Sequence, residues 1–281
     1  MTTAAVEPFT LFSLRVARTR RLGPSLVRVT FDGADLKGFH SDGRDQSLSL
    51  FLPHPGQKEP VVPRDLGEAW WQEYRELPED VRAVMRSYTL RELRREPDEI
   101  DIDFALHGVD PGAAAPAGPA AQWAARAVPG DRVLVLGPVL ADNRAIRFRP
   151  PEDTDLVVMW GDETAVPAAT AILESLPAGT RVRAWLQVPH AGDIQDVRTD
   201  ADAEITWLVR GEGAPEPLAA VQSARLPDTA HPYVWIAGES GQVKALRRHF
   251  VGDRGVDRRR VTFVGYWRRG LTEEQLRATG E

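Results

Sequence analysis

The sequence predicts a two-domain protein: an antiparallel six-stranded β-barrel over residues 1–150, then an α/β domain with a mainly parallel five-stranded sheet over residues 151–281. Three observations predict it. The chain has 281 residues, room for two domains at about 150 residues each. Its first half is a series of short β-rich runs broken by Gly, Pro and Asp, and after FRPPEDTD short apolar strands alternate with helical segments.

The barrel runs are residues 11–19, 26–31, 47–52, 87–93, 100–106 and 132–136. Between the third and fourth, LGEAWWQEYRELPEDVRAVM has the Glu, Ala and Leu content of a helical insertion, punctuated by Pro78. The Ala, Pro and Gly stretch 111–119 reads as a loop, and PAAQWAARA after it as a short helix with Pro119 in its first turn. Pro150 and Pro151 form the linker. Beyond it, LVVMW, VRAWLQV, ITWLV, YVWIAG and VTFVGYW are strands, joined by helices such as ETAVPAATAILESL and SGQVKALRRHF. This βα series predicts an open, largely parallel sheet with helices on both faces.

Composition excludes several functions. With 41 acidic and 35 basic residues the net charge is −6, which argues against a nucleic-acid binder or a protein drawn to anionic membranes. No cysteine is present, which removes disulfides, thiolate zinc sites, Cys-ligated iron–sulfur clusters and a catalytic thiol. Redox chemistry therefore requires a bound cofactor. No secretory signal and no apolar run near the roughly 18 residues of a membrane span is present, so the cytoplasm is the expected compartment. His40, His54, His190, His231 and His249 lack metal-ligand spacing, and no metal site is expected.

Arg86-Ser87-Tyr88-Thr89 lies in the fourth barrel run and offers a cation, an aromatic face and a hydroxyl at neighbouring positions. A flavin uses all three: guanidinium on pyrophosphate, a ring on the isoalloxazine, and a hydroxyl or backbone N–H on a ring nitrogen. Strand alternation puts Arg86 and Tyr88 on one face and Thr89 on the other, so Thr89 is expected to act through its backbone. Read alone, the tetrapeptide also suits an ordinary barrel strand. About thirty residues on, Gly118-Pro119-Ala120-Ala121-Gln122-Trp123 is a turn into a helix start, where unpaired N–H groups favour phosphate and small side chains allow close approach.

In RSYTLR (86–91), IDIDFALHG (100–108), GPAAQWAARAVPGDRVLVLGP (118–138), GDETAVPAATAILESLP (161–177), and YVWIAGESGQVKALRRHF followed by GYWRRG, the chain resembles the siderophore-interacting protein family. These are flavin-dependent ferric-siderophore reductases of the ferredoxin-reductase-like superfamily. The resemblance covers nearly the whole chain. It implies FAD in the barrel, with Arg86, Ser87, Tyr88 and Thr89 at phosphate and isoalloxazine, Phe104, Ala105 and His107 along the cofactor, Gly118, Pro119, Ala120 and Ala121 under the pyrophosphate, and Trp123 beneath that helix.

Gly161-Asp162-Glu163-Thr164 follows the first parallel strand and Gly238-Glu239 the fourth, both at the carboxyl edge where open α/β sheets bind ligands. In superfamily relatives this edge receives NAD(P)H, which makes these six residues the expected electron-donor site. Two carboxylates beside a pyrophosphate repel it, and Asp162 and Glu163 are alternatively helix caps. Lys244, Arg247 and Arg248, at i, i+3 and i+4 of one helix, with Arg268, read either as a cationic pocket for an anionic siderophore or as a solvated face. Tyr266 and Trp267 read either as substrate or flavin cover or as core, and Trp160, Trp185, Trp207 and Trp235 as core. Many relatives carry a basic residue in the third barrel strand where this chain has Ser49, which points toward a neutral complex.

The resemblance thus implies reduction of iron(III) in a siderophore through FAD, fed by NADH, NADPH or a ferredoxin-type protein; a cytoplasmic monomer that binds no nucleic acid is expected. The electron step needs no dedicated acid or base, and no catalytic side chain is assigned. Two alternatives are a general NAD(P)H-linked flavin oxidoreductase with another acceptor and a non-catalytic cytosolic siderophore carrier.

Overall fold

A computed structural model describes residues 8–63, 67, 69–109, 116–271 and 275. The chain divides into two compact units, residues 1–21 with 27–146 and residues 22–26 with 147–281.

The first unit contains β1 (Phe9–Gly23), β2 (Leu26–Asp32), β3 (Ser47–Leu52), β4 (Val84–Thr89), β5 (Glu92–Arg94), β6 (Glu99–Ala105) and β7 (Arg132–Pro138) in one half-barrel sheet ordered β4-β3-β7-β1-β2-β6-β5. Seven strands replace the expected six. The run 87–93 changes partner partway. β4 pairs antiparallel with β3, the Leu90 N–H donates to the Gln46 carbonyl just ahead of β3, and the Arg91 N–H donates to Asp101 of β6. β5 then continues along β6. A single stretch of chain thereby hydrogen-bonds to both edges of the sheet, a change of neighbour that period-two alternation does not register.

The helical insertion is shorter than the sequence suggests. Helix α1 (Trp70–Glu76) stops before Pro78, and Val84 already starts β4. Tyr74 ends buried against Phe51, its hydroxyl donating to the Ala83 carbonyl at 2.8 Å. Residues 66 and 68 of this stretch, and 111–115 of the expected loop, lie outside the described residues. Helix α2 (Pro119–Arg126) begins at the predicted proline.

Alternation along β6 sorts its side chains onto two faces. Ile100, Ile102 and Phe104 enter the barrel core with Phe12, Leu14, Val29, Phe31 and Leu50. Glu99, Asp101 and Asp103 lie on the opposite face, buried under a layer of arginines. Arg28 grips Asp103 at 2.7 and 2.8 Å, Arg94 grips Asp101 at 2.8 Å, and Arg18 grips Glu99. Burial opposes the Asp101 charge, but Arg94, the Thr30 hydroxyl and Arg28 outweigh it and leave its pKa below the ordinary carboxylate value.

The second unit runs β8 (Leu156–Gly161), α3 (Val166–Ser175), β9 (Arg181–Val188), β10 (Asp202–Val209), α4 (Pro217–Ser223), β11 (Pro232–Glu239), α5 (Ser240–Arg248) and β12 (Val261–Trp267). The sheet is parallel throughout, in the order β10-β9-β8-β11-β12. Val157, Met159, Tyr233 and Trp235 pack on the α3 side with Val166, Ile172 and Leu173. Leu156, Val158, Trp160 and Ile236 face Val221 of α4 and Val243 and Leu246 of α5. Strands covered on both faces explain their near-continuous apolar runs. Strand order reverses between β8 and β11, so a topological crevice opens at the carboxyl ends of those two strands.

Candidate functional site

The residues singled out from the sequence fall into one group in each unit. In the first, β4 turns Arg86 and Tyr88 to one face, both half-buried, while Ser87 is exposed and Thr89 buried on the other. The Tyr88 ring lies 4.4 Å from that of Phe104 at the end of β6, and Phe104 lies 5.9 Å from Trp123 of α2. Trp123 in turn stacks on Phe31 of β2 at 6.2 Å and an interplanar angle of 8°. Four elements distant in sequence are thus tied by one chain of aromatic contacts. Phe104 is wholly buried, so its part is to support the Tyr88 ring from beneath.

Trp123, Ala120 and Ala121 turn inward and anchor α2 on the barrel. Its start is left exposed at Gly118 and Pro119. No side chain caps this helix, and a Cβ built at Gly118 meets nothing within 4 Å. One Arg86 N–H donates to the Met85 carbonyl at 2.8 Å. Ala105 is half-buried, and His107 stands exposed just past β6. A cation, a supported aromatic face and an uncapped, small-residue helix start fit a flavin dinucleotide: the helix start and Arg86 for the pyrophosphate, Tyr88 and the β4 backbone for the ring system.

In the second unit, Gly161, Asp162, Glu163 and Thr164 leave β8, and Gly238 and Glu239 end β11. Asp162 is 1% exposed. Its Oδ1 accepts from the Thr164 N–H (3.0 Å) and hydroxyl (2.6 Å), and its Oδ2 from the Glu239 N–H (2.7 Å) and the Trp267 indole N–H (2.8 Å). Burial, then the neighbouring Glu163 charge, push its pKa above the ordinary value. Glu163 is also 1% exposed and takes a two-pronged contact from Arg210, which follows β10, at 2.7 Å on one prong. Glu239 caps α5, accepting from the Gln242 N–H at 2.9 Å.

Trp267 is therefore tied to the β8 turn, its carbonyl also accepting from the Ser240 hydroxyl at 3.0 Å, while Tyr266 packs on the α3-side core. Trp160, Trp185 and Trp235 are buried and Trp207 partly buried. Lys244, Arg247 and Arg248 lie on α5, Lys244 and Arg248 exposed, with Arg268 exposed after β12. The Arg247 guanidinium sits 4.4 Å over the ring of Phe263, which pairs with Ile236 in mid-sheet. Arg247 thus shields the outer strand, and only Lys244 lies within about a turn of the carboxyl edge.

Two residues of these groups were missing from the sequence reading. Phe31, under Trp123, looks like any barrel-core residue. Arg210 directly follows a predicted strand, and a cation at the carboxyl edge two strands over from two carboxylates was the available signal.

Two family models match: a siderophore-interacting FAD-binding domain over residues 15–142 and a siderophore-interacting protein domain over residues 154–270. The chain is 30% identical over 265 residues to the ferric vibriobactin reductase ViuB of Vibrio cholerae, covering 93% of this chain and 90% of that protein. It is 31% identical to the NADPH-dependent ferric-chelate reductase of Escherichia coli, covering 90% and 91%. Among solved structures, the siderophore-interacting protein SipS from Aeromonas hydrophila aligns with a TM-score of 0.75 at 31% identity, covering 97% of this chain and 99% of that one. The ferredoxin reductase of carbazole 1,9a-dioxygenase aligns at 0.63 with 15% identity, covering 93% and 71%, which shows a shared two-domain ferredoxin-reductase-like fold.

Proposed function

The chain belongs to the siderophore-interacting protein family, and from that premise we propose that it is a flavin-dependent reductase that converts a ferric siderophore to iron(II) and free chelator. The observation that carries this reading is the aromatic chain from Tyr88 through Phe104 to Trp123 beside the uncapped start of α2, in the part of the chain matched to an FAD-binding domain.

Residues 1–150 are assigned the FAD-binding role and residues 151–281 an NAD(P)-binding-like role. Bound in the barrel unit, FAD supplies the passage from a two-electron donor to a one-electron acceptor. The protein's residues do the rest. Arg86 neutralises pyrophosphate charge, the α2 N–H groups hold its oxygens, Tyr88 covers the ring system, and the β4 backbone at Thr89 addresses its polar edge. His107, exposed just past β6, would lie along the cofactor. Hard oxygen chelators hold iron(II) less tightly than iron(III), so reduction itself releases the metal and no side chain need act as acid or base.

Lys244, Arg248 and Arg268 are exposed cations for an anionic chelate, and Tyr266 and Trp267 provide apolar surface. Ser49, facing Ser87 across β3 and β4, adds no charge. The donor is NADH, NADPH or a ferredoxin-type protein, NADPH being the donor named for the Escherichia coli relative. Among the described residues no helix is long and apolar enough to cross a membrane. A cytoplasmic monomer is the proposed state.

The test is the visible spectrum of the purified protein with steady-state iron(II) trapping. A flavin spectrum and iron(II) production dependent on donor and ferric siderophore support the reading. Turnover of other acceptors with none of ferric siderophores would favour a general flavin oxidoreductase, and siderophore binding without reduction a carrier.

A further inference from the structure

An α/β sheet that holds a dinucleotide must leave room for a pyrophosphate where its strand order reverses, with backbone N–H groups aimed at it. Here that place is filled from within. The Thr164 N–H follows β8, the Glu239 N–H ends β11 and the Trp267 indole N–H ends β12, and all three converge on the Asp162 carboxylate. The carboxylate lies over Gly238: a Cβ built there would stand 2.6 Å from Asp162 Cγ. Gly238 has φ of 138°, a backbone that favours glycine, so chain and side chain are shaped around each other. Arg210, a cation at the same carboxyl edge, is engaged by buried Glu163. An entering pyrophosphate would meet a seated carboxylate, a second carboxylate beside it, and N–H donors already in use. The residues at the ends of β8 and β11 do not fit a dinucleotide phosphate.

We propose that Asp162 is a specificity-determining residue whose carboxyl group occupies the phosphate position of the crevice and closes it to a dinucleotide pyrophosphate. The electron donor of this enzyme then engages the α/β unit without a phosphate at that crevice, which favours slow, weakly saturating reduction by nicotinamides. The inference deepens the reductase reading and rests on it only for the donor's role.

ADP-ribose, which carries the pyrophosphate but no redox group, separates the two. Its binding is measured by titration calorimetry on the FAD-loaded full chain. The wild type is expected to bind it with Kd in the millimolar range or weaker. Asp162→Gly frees the three N–H donors and is expected to tighten binding at least tenfold, and adding Trp267→Phe should return part of that gain. Asp162→Asn, nearly isosteric, should gain a smaller factor because its amide still fills the space. Micromolar binding by the wild type overturns the proposal, as does an Asp162→Gly protein with wild-type circular dichroism and flavin absorbance but unchanged affinity. If Asp162→Gly does not fold, the wild-type affinity and Asp162→Asn decide. Tight ADP-ribose binding would leave ferric reduction intact, and absent ferric reduction would leave the closed crevice intact.

Discussion

Two loop-to-helix junctions, one in each unit, are built from similar parts to opposite effect. At the start of α2, Gly118 and an uncapped first turn leave the backbone bare, while Ala120, Ala121 and Trp123 anchor the helix from below. At the turn from β8 into α3, the Asp162 carboxylate accepts three N–H groups, so that a glycine in the neighbouring strand has space only for that carboxylate. The difference teaches that a glycine at a turn is not by itself a ligand signature. What counts is whether the space above it is taken by the chain's own side chain.

The largest expected effect sharpens the open side of the comparison. Arg86→Ala with Tyr88→Ala removes the guanidinium and the supported ring together, and FAD affinity should fall at least about 100-fold, read by flavin fluorescence titration. Unchanged affinity would detach the α2 start from its proposed ligand.

Next come the two glycines, where one substitution should have opposite consequences. Gly238→Ala must displace Asp162 and adopt a positive φ, so it should cost roughly 2 kcal/mol of stability in denaturant unfolding. Asp162→Gly in the same chain should return part of that loss, because the two groups compete for one space. Gly118→Ala places a Cβ in open space at a φ of −65°, so stability should change by less than about 0.5 kcal/mol. FAD affinity, in contrast, should fall about tenfold as the methyl group meets the pyrophosphate. A Gly118→Ala protein that loses stability and keeps its flavin would erase the distinction.

A smaller effect lies in pH dependence, where two buried carboxylates carry opposite signs. The depressed pKa of Asp101 means its arginine contacts add stability that is full above about pH 4 and is lost as pH falls through its folded pKa. The raised pKa of Asp162 works in reverse: the folded chain holds that proton more tightly, so stability is lost as pH rises from about 4 through its folded value. Melting temperatures against pH for Asp101→Asn and Asp162→Asn should therefore diverge from wild type in opposite directions. The Asp101→Asn deficit should shrink on acidification, and the Asp162→Asn difference should move in favour of the variant as pH rises. Parallel curves would show that the two environments are equivalent.

The α/β strands were legible to within a few residues, because burial on both faces writes each as an apolar run. The barrel strand at 87–93 was not, since its change of partner between Leu90 and Arg91 leaves alternation intact. The insertion looked fully helical by composition, but Pro78 and the Tyr74 contact with Ala83 cut it to seven residues. In the barrel group, Arg86 and Tyr88 are legible as residue types on a strand and Trp123 in a helix start, while Phe104 is reached only through the family resemblance; the fold adds their contacts. At the crevice the sequence shows two carboxylates in a phosphate-binding position. It does not show that N–H donors 77 and 105 residues away close on one of them, or that Arg210, 47 residues on, takes the other. Such closure is a property of parallel strands brought side by side, outside any local window.

Electron transfer from a flavin held in the barrel unit to a ferric siderophore can be watched in isolation from the donor. The most direct test is anaerobic: protein photoreduced without any nicotinamide is mixed in a stopped flow with a ferric siderophore and an iron(II) chelator, following the flavin band and the iron(II) complex together. The flavin band is expected to return and iron(II) to form in step, with about two iron(II) per flavin because a fully reduced flavin carries two electrons. A reduced flavin that persists in the presence of ferric siderophore, or reoxidises only when oxygen is admitted, would contradict it.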